Sequence, residues 1–108
     1  MTVLPVIPRA KALDDIERAV DHYAQEAGLN TAYAFIDALE RAYHFIGATP
    51  GAGSTRWAHE LNLPGLRTLR IKGFPWLAFY MQHGEFIDVW RVLHVRRDMA
   101  AWMDDKDD

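Results

Sequence analysis

The sequence predicts an α+β domain of two layers, a helical hairpin packed on an antiparallel β-sheet, in the order β-α-α-β-β-β with room for a short C-terminal helix. Apolar residues recur at three- and four-residue spacing in two consecutive stretches between Ala10 and Ile46. Three segments rich in β-branched and aromatic residues then follow between Leu66 and His94, parted by short links containing Gly and Pro. A chain of 108 residues, 50% of them hydrophobic, suits a single core.

The first element is a short strand, Val3 to Ile7. Pro5 and Pro8 confine it to a sheet edge, because proline cannot donate to a ladder. From Ala10 the period lengthens: Leu13, Ile16, Val20, Tyr23 and Ala27 form the apolar stripe of a helix, with Asp14, Glu17, Arg18, Asp21 and Gln25 between them. Gly28 supplies the left-handed position that closes a helix. Asn30 or Thr31 is read as the N-cap of a second helix, whose stripe is Ala32, Phe35, Ile36, Leu39, Ala42, Tyr43 and Ile46. A link of two or three residues makes the pair an antiparallel hairpin. Thr49 to Ser54 reads as a loop. Leu66 to Lys72, Trp76 to Met81 and Phe86 to His94 are strands, and links as short as Gly73-Phe74-Pro75 and Gln82-His83-Gly84-Glu85 make them an antiparallel meander. Arg96 to Trp102 is the candidate last helix. Tyr23, Phe35, Phe79 and Ile87 are assigned to the core.

Charge and composition narrow the function. The net charge of −3 divides along the chain: residues 1–55 carry −3, residues 56–97 carry +4 and residues 98–108 carry −4. The end, Asp104-Asp105-Lys106-Asp107-Asp108, reads as a disordered, solubilising tail after one domain over residues 1–103. Cysteine is absent, which excludes disulfides and thiolate metal sites and makes a reducing compartment the default. The opening residues lack the pattern of a secretory signal, and no apolar run approaches the roughly 20 residues that span a bilayer, so a cytoplasmic protein without membrane partners is expected.

No phosphate-binding glycine loop, nucleophile elbow or His-Glu-x-x-His pair is present. His22, His44, His59, His83 and His94 share no ligand spacing, so neither a metal nor another cofactor is assigned. His94 ends a strand beside Arg96 and Arg97, where an imidazole could serve as acid or base, but no carboxylate or tyrosine is evidently placed to assist it. A binding role, or a hydrogen bond that secures the sheet end, is the better reading of His94, and no catalytic residue is assigned. The basic block carries more information. Arg70 and Lys72 alternate with Leu69 and Ile71 and so share one face of a strand. They join Arg56, Arg67, Arg91, Arg96 and Arg97, interleaved with Trp57, Trp76, Trp90 and Trp102, residue types that dominate binding hot spots.

In order and spacing these residues resemble the ParE branch of the RelE/ParE toxin superfamily over roughly Ala10 to Met99. The first helix carries Ala12-x-x-Asp15-Ile16-x-x-Ala19-x-x-x-Tyr23 and the second Ala32-x-x-Phe35-x-x-x-Leu39. Pro50-Gly51-Ala52-Gly53, Leu66-Arg67 and Pro75-Trp76-Leu77-Ala78-Phe79-Tyr80 follow. Ile87-Asp88-Val89-Trp90 then leads into Arg91-Val92-Leu93-His94-x-x-Arg97-Asp98, the strongest string. The resemblance implies a non-enzymatic toxin that poisons DNA gyrase and is silenced by a ParD-like antitoxin. On this reading Arg91, His94, Arg96, Arg97 and Trp102 are candidate target contacts, and Arg70, Lys72 and Arg91 candidate antitoxin contacts. Direct sequence-specific nucleic-acid binding is not expected, since toxins of this superfamily are commonly basic and this chain is acidic overall. The RelE branch, which cuts mRNA on the ribosome, is the alternative. It looks to an arginine near Trp76 or Leu77, where this chain has none. A toxin that has lost activity and only binds is a further alternative.

Overall fold

In the computed structural model, which describes residues 2–99, the two amphipathic stretches become α1 (Ala10–Glu26) and α2 (Leu29–Ala48). Only Ala27 and Gly28 separate them, and Gly28 takes a φ of +94°, the conformation that lets the chain reverse so tightly. Because the link is this short, Gly28 itself precedes α2, and Thr31 lies inside the helix, where its hydroxyl donates to the Ala27 carbonyl. The sheet holds β1 (Val6–Pro8), β2 (Arg67–Arg70), β3 (Trp76–His83) and β4 (Phe86–His94) in the spatial order β1-β4-β3-β2. The last three form the antiparallel meander, and β1 takes the expected edge position. It pairs parallel with β4, Val6 opposite Ile87, so the sheet is mixed at that edge, with most of the chain serving as the crossover.

The core on the helical side contains Phe35, Leu39 and Ile46 of α2 and Trp76, Ala78, Tyr80, Ile87, Val89 and Val92 of the sheet, with Ile16, Val20 and Tyr23 packed at its margin. The α2 stripe lies as predicted. That of α1 is turned: Ala12, Asp15 and Ala19 are buried, whereas Leu13 is 53% exposed. Two alanines bring the α1 backbone close to the sheet, and a carboxylate sits between them for a reason given below.

A smaller core covers the opposite face of the sheet. Leu61, Leu66, Phe79, Leu93 and Met99 are buried there, flanked by Trp57, Leu77, Met81 and Trp90. Part of its cover is α3 (Arg56–Glu60), a helix too short to leave a periodic signature in the sequence. The Pro50–Ala52 segment ahead of it forms a 3₁₀ turn fixed by Tyr80, whose hydroxyl donates to the Pro50 carbonyl at 3.1 Å and accepts the Gly53 N–H at 3.0 Å. Gly53 has no room for a Cβ, which would meet the Tyr80 hydroxyl. Arg67 ties the same loop down by donating to the carbonyls of Gly51 and Gly53. The link from this loop to α3 also shields the β2 edge, since Ser54 bridges to Thr68.

Candidate functional site

One residue more in β4 than in β3 sets up the site. Phe79 faces Arg91 and Tyr80 faces Val89, leaving Trp90 as the extra residue of a β-bulge. Val89 and Val92 both reach the helical core in consequence, and Arg91 closes on α1. Its Nε donates to Asp15 Oδ2 at 2.8 Å and its Nη2 to Oδ1 at 2.9 Å, the paired fork geometry that suits guanidinium to carboxylate. Asp15 also accepts the Val92 N–H at 3.0 Å and Arg18 Nη2 at 3.1 Å. The Val92 contact explains the buried carboxylate of α1. The pairing of β1 stops at Val89, so the next outward N–H of β4 would lack an acceptor, and Asp15 supplies it. Arg91, a candidate contact for both target and antitoxin, thus directs two of its five N–H donors at Asp15 and keeps 20% of its side chain exposed.

The end of β4 repeats the device. The His94 N–H donates to Asp98 Oδ2 at 2.9 Å, so a second carboxylate closes the strand edge. The His94 ring stands edge-on to buried Trp76, with centroids 5.3 Å apart, and its Nδ1 accepts the N–H groups of Arg96 at 3.1 Å and Arg97 at 3.3 Å. This places the ring proton on Nε2. Desolvation and the Arg97 charge, with smaller contributions from Arg96 and His22, hold the imidazole below its ordinary value of 6.5 against the opposing pull of Asp98. His94 thus organises the turn that carries Arg96 and Arg97, both exposed, and the Arg97 guanidinium lies 5.5 Å from the centre of the Trp76 ring. Trp76 is itself core, its indole N–H donating to the Tyr23 hydroxyl at 2.9 Å.

A second buried carboxylate, Asp88, locks β1 to β4. It receives Arg9 through Nε at 2.9 Å and Nη2 at 2.8 Å, the Trp90 indole N–H at 3.0 Å and the His83 ring at 3.1 Å. Burial pushes its carboxyl up, but Arg9, through hydrogen bond and charge, outweighs this with help from Trp90 and His83, leaving it below the usual carboxylate value. The Arg9 guanidinium also lies 4.3 Å from the centre of the Trp90 ring.

The predicted site residues therefore fall into separate places. His94, Arg96 and Arg97 share one turn, Arg91 belongs to the α1 junction, and Arg70 and Lys72 are exposed at the end of β2. Trp102, the rest of the candidate last helix and the acidic tail lie outside the described residues. Asp15 and Asp88 escaped the sequence reading as site residues. For Asp15 a signal existed, since it stands three residues from Ala12 and four from Ala19, on the side of the helix that is buried. Among the described residues, no group of three or more His, Cys, Asp or Glu side chains could hold a metal, and no helix is long and apolar enough to cross a membrane.

This is a small α+β domain whose β4 edge is closed by Asp15 and Asp98 and whose exposed Arg96 and Arg97 stand on the turn that follows β4. Residues 6–99 match the family model described as ParE toxin of type II toxin-antitoxin system, parDE. The chain is 32% identical over 92 residues to Toxin ParE3 of Caulobacter vibrioides, an alignment spanning 85% of this chain and 87% of that protein. A solved structure described as the chromosomal ParDE TA system from P. aeruginosa shares the fold, with a TM-score of 0.72 and 24% identity over 87% of this chain and 98% of the other. The chain belongs to the ParE toxin family of type II toxin–antitoxin systems.

Proposed function

We propose that this ParE-type toxin acts by binding DNA gyrase and stalling it on cleaved DNA, without chemistry of its own, and that a ParD-like antitoxin neutralises it. Membership of the ParE family is the observation that carries this reading. The surface is compatible with it: Arg96 and Arg97 project from a turn held in one conformation by His94 and Asp98, so long cations are offered with little ordering left for binding to impose. Arg70 and Lys72 close the outer strand β2 at the same end of the sheet, Arg70 level with Leu77 and Leu93, and offer further contacts for an acidic partner.

Ribosome-dependent mRNA cleavage, the second reading, would need a side chain positioned to move a proton. His94 is the candidate, yet its Nδ1 is already occupied by two backbone N–H groups, and strand β3 carries Trp76 and Leu77 where the RelE-type reading looks for an arginine. Both points favour binding over phosphoryl transfer. Purified gyrase supercoiling relaxed plasmid, with this protein titrated in, tests the proposal. Inhibition accompanied by DNA cleavage supports it. Unaffected gyrase, together with message cleavage on ribosomes that His94→Ala abolishes, would replace it with the interferase. Growth arrest that is absent on expression, with antitoxin binding retained, would leave a module that only binds.

A further inference from the structure

Above the Asp15–Arg91 pair, α1 and β4 leave an open notch of about 220 Å³ lined by Lys11, Asp14, Arg18 and Arg91. Lys11, Asp14 and Arg18 follow one another at three- and four-residue spacing, so they project from one face of α1. Asp15, bound to two of the lining cations, has its two oxygens already taken by Arg91, Arg18 and the Val92 N–H. With Arg91 paired to Asp15, Lys11 and Arg18 still outnumber Asp14 in the lining, in a region of the chain that is otherwise acidic. No acidic side chain of the described residues lies within 4.0 Å of the Lys11 ammonium, and Arg18, paired through one nitrogen, has a side chain 73% exposed.

We infer that this notch receives a carboxylate side chain of the antitoxin, held between Lys11 and Arg18. The inference rests on the proposed pairing with a ParD-like partner and names one contact of that pairing. The chemistry favours an aspartate or glutamate on a protein. The opening is small and has a carboxylate, Asp14, in its own lining, which suits one compact anion and opposes the row of phosphates on a nucleic-acid backbone. The notch also lies where the β4 edge is already closed by Asp15, so the partner group enters as a side chain and not as an added strand.

The test uses the purified toxin and its cognate ParD-like antitoxin, with binding measured at low and at physiological salt. Lys11→Glu and Arg18→Gln together should weaken binding at least tenfold, chiefly by slowing association, and should flatten its salt dependence. Lys11→Glu alone, at an exposed position with no ion pair among the described residues, should give a smaller loss with an unchanged melting temperature. Replacing the acidic residues of the antitoxin one at a time by lysine should find one whose change restores binding to the Lys11→Glu toxin. Unchanged affinity of the double variant, or the absence of any such rescue, overturns the notch while leaving the pairing intact. Failure of the unaltered toxin to bind the antitoxin removes the pairing and the notch with it.

Discussion

Replacing Asp15 by asparagine should unfold a large part of what holds α1 to the sheet. The aspartate accepts four hydrogen bonds at 2.8 to 3.1 Å, two from Arg91, one from Arg18 and one from the backbone of Val92. Asparagine keeps one oxygen, and its amide N–H groups would face a guanidinium that can only donate. Breaking one side of a buried ion pair costs roughly 3–5 kcal/mol. Arg91 keeps 20% of its side chain in water, so the lower end, about 3 kcal/mol, is expected. With a urea dependence of about 1.5 kcal/mol/M, that moves the unfolding midpoint down by about 2 M. Urea denaturation followed by tryptophan fluorescence measures it. Adding Arg91→Met should recover part of the loss, because the guanidinium that faces the asparagine amide is then gone, and the double variant should be more stable than the sum of the single losses. A midpoint shift below about 0.5 M for Asp15→Asn, or full additivity with Arg91→Met, would refute the reasoning.

Three other outcomes follow from the same packing. The Tyr43 hydroxyl is buried with no hydrogen-bond partner among the described residues, and burial with the nearby Asp15 charge pushes its ionisation well above the usual phenol value; Tyr43→Phe should therefore raise stability by about 1 kcal/mol, the cost of a hydroxyl left unsatisfied, and a loss of that size in thermal unfolding would count against the burial described. A Cβ on Gly47 would come within 2.5 Å of the Leu4 carbonyl oxygen, and the Leu4 N–H donates to the Gly47 carbonyl, so Gly47→Ala should displace the segment leading into β1 and cost about 1–3 kcal/mol; faster amide exchange at Leu4 would report it, and unchanged exchange would not fit. The imidazole of His94 is held below 6.5, so the unfolded chain takes up a proton that the folded chain refuses: its contribution to stability is complete above about pH 6.5 and falls as the pH drops through the lower folded value. Urea midpoints at pH 8, 7, 6 and 5 should decline more steeply for the unaltered protein than for His94→Asn, and parallel profiles would contradict this.

The helical hairpin was legible because its two stripes, the glycine between them and the short link all specify one arrangement, and the meander because its links allow no crossover. The phase of α1 was not, since the hydrophobic rule selects Leu13, whereas the packing selects small Ala12 and Ala19 and admits Asp15. The reason for Asp15 lies 76 and 77 residues away, in an Arg91 guanidinium and a Val92 N–H that β1 is too short to cover. The spacing from Ala12 and Ala19 marks Asp15 as facing inward, but not which groups it meets there. The parallel docking of β1 was hidden for a related reason: chain order says that β1 is an edge strand, but its direction against β4 is decided by how the hairpin crosses the sheet. Among the cations, side-chain type marked a basic block, and only coordinates divide it into the inward Arg91, the turn carrying Arg96 and Arg97, and the exposed end of β2.

The most direct test of the proposed mode of action is the amount of cleaved plasmid that purified gyrase accumulates when this protein is added, read after denaturing the enzyme. Linear DNA should increase with the dose of toxin, decrease when Arg96 and Arg97 are both changed to glutamate, and disappear when the antitoxin is added first. Supercoiling that proceeds normally at a large molar excess of folded toxin, with no linear product, would contradict it.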